Sequence, residues 1–260
     1  MKIIFDKYEG TGNDFILIDN RANLFDRKNN FLVAQLCNRK FGIGADGLML
    51  LQNKANFDFE MVYYNADGNE SSMCGNGGRC ISAFAKRLEL VKEKANFYAI
   101  DGKHESIISE KTIRLKMNDV SHIDENEKYY FIQTGSPHYV EFIDDVENFN
   151  VFENGKNIRN SDAFKKEGTN VNFIEKQNQE LFVRTYERGV ENETLSCGTG
   201  VTAAALVAAQ KNIFSATDYC DVKTLGGKLR VYYKKNNDNS FTDIWLEGAA
   251  TFVFKGEIDV

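Results

Sequence analysis

Short alternations of apolar and polar residues dominate the chain, and this pattern predicts β-strands. Residues 1–8 alternate in this way, residues 9–14 form a polar turn, and residues 15–19 have the pattern of a second strand. The pattern recurs at residues 48–52, 57–65, 97–100, 105–109, 112–117, 129–143, 170–176, 181–187, 222–224, 228–235 and 241–247. Most of the chain is therefore predicted to form short strands.

Helical patterns are fewer. Residues 29–40 have apolar positions at helical spacing, with Asn30 as a candidate N-cap. Two further helices follow glycine-rich turns, the first ending near Leu90 and the second covering residues 201–209. The second, VTAAALVAA, is apolar all round and must be covered on every side, which a sheet wrapped around a central helix achieves. Because regular alternation of strands and helices is absent, we predict an α+β fold.

The two glycine-rich turns belong to a longer repeat. Cys74 and Cys197, one in each turn, lie 123 residues apart. The same offset relates Glu70 to Glu193, Asn65 to Arg188, and Thr11-Gly12 to Thr134-Gly135. Four landmarks at one offset indicate two related halves. We predict two pseudo-symmetric domains, each a mostly antiparallel sheet wrapped around a central helix.

The boundary between the halves is expected in the polar, acidic segment 118–127. The N-terminal half would then span residues 1–118 and the C-terminal half residues 119–247. Residues 248–260 exceed two repeats, and we expect them to return as a strand that completes the N-terminal half.

Composition narrows the class of protein. The chain has 260 residues, of which 42% are hydrophobic, as in ordinary globular proteins. It contains no run of 18 apolar residues, and its start lacks the features of a signal peptide. The net charge of -6, with acids and bases interspersed, argues against nucleic-acid binding. Five cysteines without a tight framework fit a reducing compartment. We expect a cytoplasmic protein that binds neither nucleic acid nor membrane.

Signals for a metal or a nucleotide cofactor are weak. Cys74 and Cys80 are too far apart for a C-x-x-C pair and have no other Cys or His cluster nearby, so a zinc site is not predicted. Gly42, Gly44 and Gly47 match the dinucleotide fingerprint, but they follow a helical segment and precede a strand, the reverse of the required context. We interpret them as a helix C-cap and tight turn. No metal and no cofactor are predicted.

The two repeated cysteines carry the candidate chemistry. Cys37, Cys80 and Cys220 are interpreted as small buried apolar residues, whereas Cys74 and Cys197 each lie among glycines at a predicted helix start. A helix start binds carboxylates through its unpaired N–H groups and favours an ionised thiol. A thiolate and a thiol on opposite faces of a carbon can remove one proton and supply another, which inverts a stereocentre. Because a Cα–H beside a carboxylate is weakly acidic, the site must be dry and must stabilise developing charge.

Three further residues fall near these turns. His138 follows Pro137, the only proline, at the repeat position of the Asn13-Asp14 turn. Glu187 and Arg188 precede Cys197 by ten and nine residues and are interpreted as site residues, since a guanidinium suits a second carboxylate.

The motifs around these residues resemble those of a known family. The motifs NADGNESSMCGNGGRC and ERGVENETLSCGTG, with TGNDF near the start and TGSPHYV between them, are similar to diaminopimelate epimerase over nearly the whole chain. The resemblance implies two pseudo-symmetric domains and a two-base reaction that interconverts LL- and meso-diaminopimelate, for lysine and peptidoglycan synthesis. It also implies that neither pyridoxal phosphate nor a metal takes part, and that the chain forms a homodimer.

The resemblance also assigns roles by position. It implies that Cys74 and Cys197 are the alternating acid and base, and that His138 and Glu187 modulate the pKa of the thiols. The residues that it implies for substrate binding are Asn13, Asn65, Gly75, Asn76, Asn170, Glu187, Arg188, Gly198 and Thr199, with Arg188 on the distal carboxylate.

Two positions depart from the family pattern. Gly47 stands where many members have Gln, so a side-chain contact is expected to be lost. Ser136 stands where many members have Asn in a GNPH motif, so the distal group is expected to be held differently.

Two alternatives stay open. A proline or hydroxyproline racemase-like enzyme shares the two-cysteine chemistry, although Asn76 and the Glu187-Arg188 pair favour a longer substrate with a second charged end. A redox or binding protein, in which Cys74 and Cys197 form a disulfide, belongs to a different class.

Overall fold

The computed structural model describes residues 2–214 and 218–260, so Met1 of the first predicted strand lies outside the described residues. In chain order the elements are β1 (Lys2–Gly10), β2 (Asn13–Asp19), α1 (Asn30–Cys37), β3 (Gly47–Gln52), β4 (Phe59–Asn65), β5 (Glu70–Ser71), α2 (Gly75–Arg87), β6 (Lys94–Ala99), β7 (Gly102–Ile108), β8 (Ile113–Lys116), β9 (Ile123–Glu125), β10 (Tyr130–Gln133), β11 (Pro137–Phe142), α3 (Val151–Arg159), β12 (Asn170–Gln177), β13 (Glu180–Glu187), β14 (Asn192–Thr194), α4 (Gly198–Gln210), β15 (Tyr219–Thr224), β16 (Gly227–Lys235), β17 (Phe241–Gly248) and β18 (Thr251–Asp259). This composition confirms the predicted α+β class.

The chain divides into two compact units. Unit 1 comprises Met1–Leu115 together with Gly248–Val260, and unit 2 comprises Lys116–Glu247. In unit 1, β1 pairs antiparallel with both β18 and β2. The pairing then continues from β2 to β3 in parallel and from β3 to β4 in antiparallel orientation. The C-terminal strand therefore lies beside the N-terminal one.

Unit 2 repeats this connectivity. Strand β10 pairs antiparallel with both β9 and β11, β11 pairs in parallel with β12, and β12 pairs antiparallel with β13. In this unit β9 takes the place beside β10 that β18 takes beside β1. Because β9 precedes β10 directly in the chain, unit 2 needs no returning strand.

A helix lies at the centre of each unit, as the apolar pattern predicts. In unit 1, α2 packs against β1, β2, β3, β7 and β18. In unit 2, α4 packs against β10, β11, β12, β13, β15 and β16. Residues 201–208 of α4 are completely buried, since an all-apolar helix is stable only when covered on every side.

The two outer helices cover the other face of each sheet. Leu32, Val33 and Leu36 of α1 join a core cluster with residues of β1 to β4, and α3 packs against β12 and β13. The N-cap of α1 is Asn29, whose side chain accepts a hydrogen bond from the Leu32 N–H at 3.0 Å. The prediction of Asn30 as the cap was wrong by one residue, because two adjacent asparagines suit the position equally by type.

The sequence pattern missed the helix α3 and the strands β5, β9 and β14. Helix α3 buries only Val151 and Gly155, so its sequence has no clear apolar period. Each of the three strands has two or three residues, which is too short for an alternation to be recognised. Of the described helices, the longest have 13 residues, and none is long and apolar enough to cross a membrane.

Candidate active site

The candidate site of unit 1 is built on the start of α2. Cys74 is the N-cap, with extended backbone, and its Sγ accepts a hydrogen bond from the Gly77 N–H at 3.2 Å. The residue is half-buried. A Cβ on Gly77 would lie 3.1 Å from this sulfur and 2.9 Å from Met49 Cε, so the glycine lets the sheet approach the helix start. The remaining N–H groups of this turn suit an anion.

Two predicted substrate ligands meet in a chain of side-chain amides. Asn76 Nδ2 donates to Asn13 Oδ1 at 2.9 Å, and Asn13 Nδ2 donates to Asp46 Oδ2 at 2.7 Å. Arg39 in turn donates to Asp46 at 2.7 Å. Because a carboxylate only accepts, Asp46 fixes which end of the Asn13 amide faces Asn76. Sequence reasoning did not select Asp46, which reaches Asn13 only through the parallel pairing of β2 and β3.

A buried arginine lies over the first turn of the same helix. Arg79 is 0% exposed, and its Nη1 donates to the Gly75 carbonyl at 3.2 Å. Its Nη2 donates to Asn76 Oδ1 at 2.9 Å and to Thr11 Oγ1 at 2.5 Å. Sequence reasoning did not select Arg79, although the buried guanidinium orients Asn76 directly.

The candidate site of unit 2 is built on the start of α4. Cys197 precedes the helix and is 8% exposed, and its Sγ lies 3.5 Å from Thr199 Oγ1. Thr134 Oγ1 donates to the Thr199 carbonyl at 2.9 Å. The TG turn that the repeat singled out therefore supports the first turn of the helix behind the cysteine.

His138 is completely buried beside this helix. Its Nδ1 accepts from Asn172 Nδ2 at 3.1 Å, and the same amide donates to the Tyr139 carbonyl at 2.9 Å. The Asn170 amide nitrogen lies 3.5 Å from Nε2, so amide nitrogens face both ring nitrogens and the nearer one faces Nδ1. Burial, with a smaller contribution from the Arg188 guanidinium, lowers the pKa of His138 to about 3. The imidazole is therefore neutral at physiological pH.

Asn172 organises more of unit 2 than its sequence position suggests. Its Oδ1 accepts from Thr185 Oγ1 at 2.9 Å. A Cβ on Gly200, in the first turn of α4, would lie closer than 3.0 Å to the same oxygen. Sequence reasoning placed Asn172 in a strand without a role. A buried amide contacting two strands and a helix becomes visible only in three dimensions.

The remaining predicted residues of unit 2 surround Arg188. Its backbone N–H donates to Asn170 Oδ1 at 2.9 Å, and its Nη1 donates to the Glu167 carbonyl at 2.9 Å. A Cβ on Gly168, whose φ is +75°, would lie 2.5 Å from Arg188 Cδ. Gly168, which was not predicted, therefore makes room for the exposed arginine. The Glu187 carboxylate accepts a short hydrogen bond from Thr194 Oγ1.

Three predicted substrate ligands lie at other positions. Asn65 ends β4 with an exposed side chain, opposite Gly47 on β3. Gly75 and Gly198 are buried at the first positions of α2 and α4.

The other cysteines and the glycine-rich turn behave as interpreted. Cys37, Cys80 and Cys220 are buried, and burial raises the pKa of Cys37 and Cys220 to about 12 and raises that of Cys80 as well. Gly44 has a φ of +81° in the turn after α1, where the Ile43 N–H donates to the Leu36 carbonyl. Among residues 2–214 and 218–260, no group of three or more His, Cys, Asp or Glu side chains is placed to hold a metal.

Comparison with known proteins identifies the family to which the chain belongs. A family model described as diaminopimelate epimerase matches residues 5–123 and 130–253. A protein named diaminopimelate epimerase from Flavobacterium psychrophilum is 50% identical over 254 residues, which cover 97% of this chain and 98% of that protein. The chain belongs to the diaminopimelate epimerase family. The resemblance seen in the sequence motifs is confirmed.

Solved structures with much lower identity share the fold of this family member. A phenazine biosynthesis protein of the PhzF family from Bacillus anthracis superposes with a TM-score of 0.78 at 13% identity over 100% of both chains. A probable proline racemase from Agrobacterium radiobacter K84 gives 0.67 at 12% identity, over 99% of this chain and 93% of that one. At such identities the likeness concerns the fold alone, and it agrees with the α+β class.

The structure explains one departure from the family pattern. A Cβ on Gly47 would lie 2.5 Å from the Tyr64 carbonyl oxygen, 2.6 Å from Tyr63 Cε2 and 3.0 Å from the Tyr63 hydroxyl. The Tyr63 ring therefore occupies the space into which a larger side chain at position 47 would extend. At the second departure, Ser136 is half-buried in the turn before β11, and its carbonyl accepts from the Thr134 N–H.

Proposed function

We propose that the chain is an epimerase that interconverts LL- and meso-diaminopimelate with two cysteines as acid and base. One observation carries the proposal. Cys74 and Cys197 immediately precede helices of 13 residues that begin 123 residues apart. Each cysteine lies in one of the two segments that match the diaminopimelate epimerase family.

The reaction is a balanced exchange of protons. A thiolate removes the α-proton of one substrate stereoisomer, and the other cysteine, as a thiol, delivers its proton to the opposite face of the same carbon. The first sulfur then carries a proton and the second is a thiolate, so the reverse reaction uses the same groups in exchanged roles. No electrons are transferred and no group leaves the substrate.

The developing negative charge is the main barrier, and both helix starts suit it. Backbone N–H groups of Gly75, Asn76, Gly198 and Thr199 are assigned to the α-carboxylate and the amine of the reacting centre. Donors fixed before the reaction stabilise charge without reorganising. The Arg79 and Asp46 contacts to the Asn76 and Asn13 amides supply such fixing in unit 1.

The remaining roles concern the second end of the substrate and the thiols. We assign Arg188 to the distal carboxylate, since a guanidinium pairs with both carboxylate oxygens, with Asn13, Asn65 and Asn170 as polar ligands. Glu187 modulates a thiol as a charged neighbour. We assign His138 to modulate the pKa of a thiol as a neutral ring, because its imidazole carries no charge at physiological pH.

The same proposal covers the setting of the enzyme. We expect neither pyridoxal phosphate nor a metal to be required, a homodimer in solution, and a cytoplasmic location. These expectations derive from the family and from the absence of a redox or metal step in the proton exchange.

Deuterium incorporation tests the function. Reduced protein without added cofactor is incubated in D₂O with LL-diaminopimelate and, in a separate tube, with L-proline, and the α-protons are followed by NMR. The proposal predicts loss of one α-proton signal of diaminopimelate with formation of the meso isomer, and no exchange in proline. Exchange in proline alone would support a proline racemase instead. Exchange in neither substrate would refute an amino-acid epimerase.

Two controls sharpen the test. Protein treated with iodoacetamide must lose the exchange, because alkylation removes the thiol protons. Protein dialysed against a chelator and hydroxylamine must retain it, because these reagents remove metals and pyridoxal phosphate. Loss of exchange after dialysis would contradict the two-thiol reaction.

A further inference from the structure

The two cysteines of the repeat differ in the residue that contacts their first helical turn. In α2, Arg79 Nη1 donates to the Gly75 carbonyl at 3.2 Å. The equivalent residue of α4, 123 positions later, is Thr202, whose Oγ1 donates to the Gly198 carbonyl at 2.9 Å. The carbonyl of the residue that follows each cysteine therefore accepts from a cation in α2 and from a neutral hydroxyl in α4.

The cation behind Cys74 is fully buried. Its hydrogen bonds go to neutral acceptors: the Gly75 and Ala249 carbonyls, Asn76 Oδ1 and Thr11 Oγ1. Within residues 2–214 and 218–260, no carboxylate forms an ion pair with it. A guanidinium stays charged in proteins, and a buried charge is costly unless an anion compensates it.

Other charged groups near the start of α2 are more distant or screened. Glu9, on β1, accepts from the Gly12 N–H and interacts with Arg79 over a longer range. Asp101 accepts from the Met73 N–H but is exposed and paired with His104. Burial raises the pKa of the Cys80 thiol, so that sulfur remains neutral. Cys74, at the helix N-terminus, is the ionisable group best placed to supply the anion.

The surroundings of Cys197 favour the neutral thiol. Cys197 is more buried than Cys74, and burial disfavours the thiolate. The titratable groups on strands around α4 include the neutral His138, the buried thiol of Cys220, and Glu187, which lies on the Thr185 side of β13. The Arg188 guanidinium, which follows β13, acts on His138 as the nearby cation. The Glu187 carboxylate on this face disfavours a thiolate at Cys197.

We propose that the two thiols are unequal at rest: Arg79 keeps Cys74 as the thiolate, and Cys197 is the thiol. The inference rests on the proposed function for its meaning in catalysis. Arg79 acts as a positioning residue, through Cys74 and Asn76, and does not itself exchange a proton. The resting enzyme would then accept the isomer whose α-proton faces Cys74.

The test measures the ionisation of each sulfur without substrate. Native protein is pulsed with iodoacetamide across pH 5 to 10, quenched and digested with trypsin, and alkylation is quantified by mass spectrometry. Cleavage at Lys54 and Arg79 isolates the Cys74 peptide, 55–79, from Cys80, and cleavage at Arg188 and Lys211 isolates the Cys197 peptide, 189–211. The midpoint of each rate–pH curve reports the ionisation of the sulfur independently of its exposure.

We expect the midpoint of Cys74 to lie at least about one pH unit below that of Cys197, because a close opposite charge typically lowers an acid pKa by about 1 to 3 pH units. Arg79→Gln should raise the Cys74 midpoint by about one pH unit or more. Because this substitution removes the tryptic site, the peptide then extends to Lys86 and includes Cys80, and fragment ions in the mass spectrum assign the alkylated cysteine. Arg79→Lys, which keeps the positive charge, should leave the Cys74 midpoint close to the wild-type value. Arg87→Gln is the matched control, since Arg87 pairs with Asp6 in the last turn of the same helix, and should leave the midpoint unchanged.

A Cys197 midpoint equal to or below that of Cys74 in the wild type would overturn the inference, and this comparison needs no variant to fold. An unchanged Cys74 midpoint in folded Arg79→Gln would also overturn it. Because alkylation needs no substrate, the outcome is independent of deuterium exchange: unequal thiols without exchange would refute only the function, and exchange with equal thiols only the inference.

Discussion

Gly200 offers a direct test of how unit 2 supports its cysteine. A methyl group there would overlap Asn172 Oδ1, closer than 3.0 Å. Asn172 cannot move away freely, since its amide bonds to His138, the Tyr139 carbonyl and Thr185. Gly200→Ala is therefore expected to shift the start of α4 or to break these bonds.

The magnitude follows from opposing effects. Overpacking a tight interior costs about 1–3 kcal/mol, and loss of a buried hydrogen bond adds about 1 kcal/mol. Alanine regains about 1 kcal/mol through helix propensity. We expect Gly200→Ala to lower the free energy of unfolding by about 2 kcal/mol. Urea denaturation followed by circular dichroism measures this difference.

The repeat provides a matched control for this substitution. Gly77 is the equivalent residue of α2, and a methyl group there would meet the end of the flexible Met49 side chain at 2.9 Å and Cys74 Sγ at 3.1 Å. A methionine adapts to such a contact. Gly77→Ala should therefore change the free energy of unfolding by less than about 1 kcal/mol, because the propensity gain offsets the contact.

A double-mutant cycle identifies the cause. If the Asn172 amide is what the new methyl group meets, Gly200→Ala should cost nothing in an Asn172→Ala background. Equal costs in both backgrounds would refute the reasoning, and so would a Gly200→Ala protein as stable as Gly77→Ala.

Three further predictions concern pH, packing and positioning. His138→Gln should make stability less sensitive to acid. The imidazole of the unfolded chain binds a proton below about pH 6.5, whereas native His138 does not until about pH 3, so the free energy of unfolding of the wild type falls by about 2 kcal/mol between pH 6.5 and 5. Urea denaturation at these two pH values should show a smaller fall in the variant. Gly47→Ala should lower the free energy of unfolding by about 1–3 kcal/mol, since its Cβ would lie 2.5 Å from the Tyr64 carbonyl; an unchanged urea midpoint would contradict this. Asp46→Ala should raise the KM for diaminopimelate about tenfold in steady-state kinetics, equivalent to one hydrogen bond that fixes the Asn13 amide, while an unaltered KM would show that this amide needs no fixing.

The fold was predictable where one pattern determined it. The all-apolar sequence of α4 required a covered central helix, and the glycine-rich turns at Cys74 and Cys197 predicted two helix starts, which the structure shows at an offset of 123 residues. Strands with clear alternation, such as β12 and β13, were predicted with their bounds nearly correct. Very short strands were not, because two or three residues carry no periodicity.

The supporting residues of the candidate site were less predictable. Arg79 has the sequence appearance of an exposed helical residue, and its burial depends on acceptors 68 and 170 positions away along the chain. Asn172 and Gly168 act through contacts that pairing between strands creates. Such roles depend on tertiary proximity, which neither residue type nor spacing encodes.

The proposed reaction requires that both cysteines exchange a proton with the substrate. The most direct measurement is the rate of conversion of LL- to meso-diaminopimelate by Cys74→Ser and Cys197→Ser, each shown by circular dichroism to be folded. Because a positioned acid or base contributes about 10²- to 10⁴-fold, we expect each variant to lose at least about a hundredfold in rate. A folded variant that converts the substrate within tenfold of the wild-type rate would contradict it.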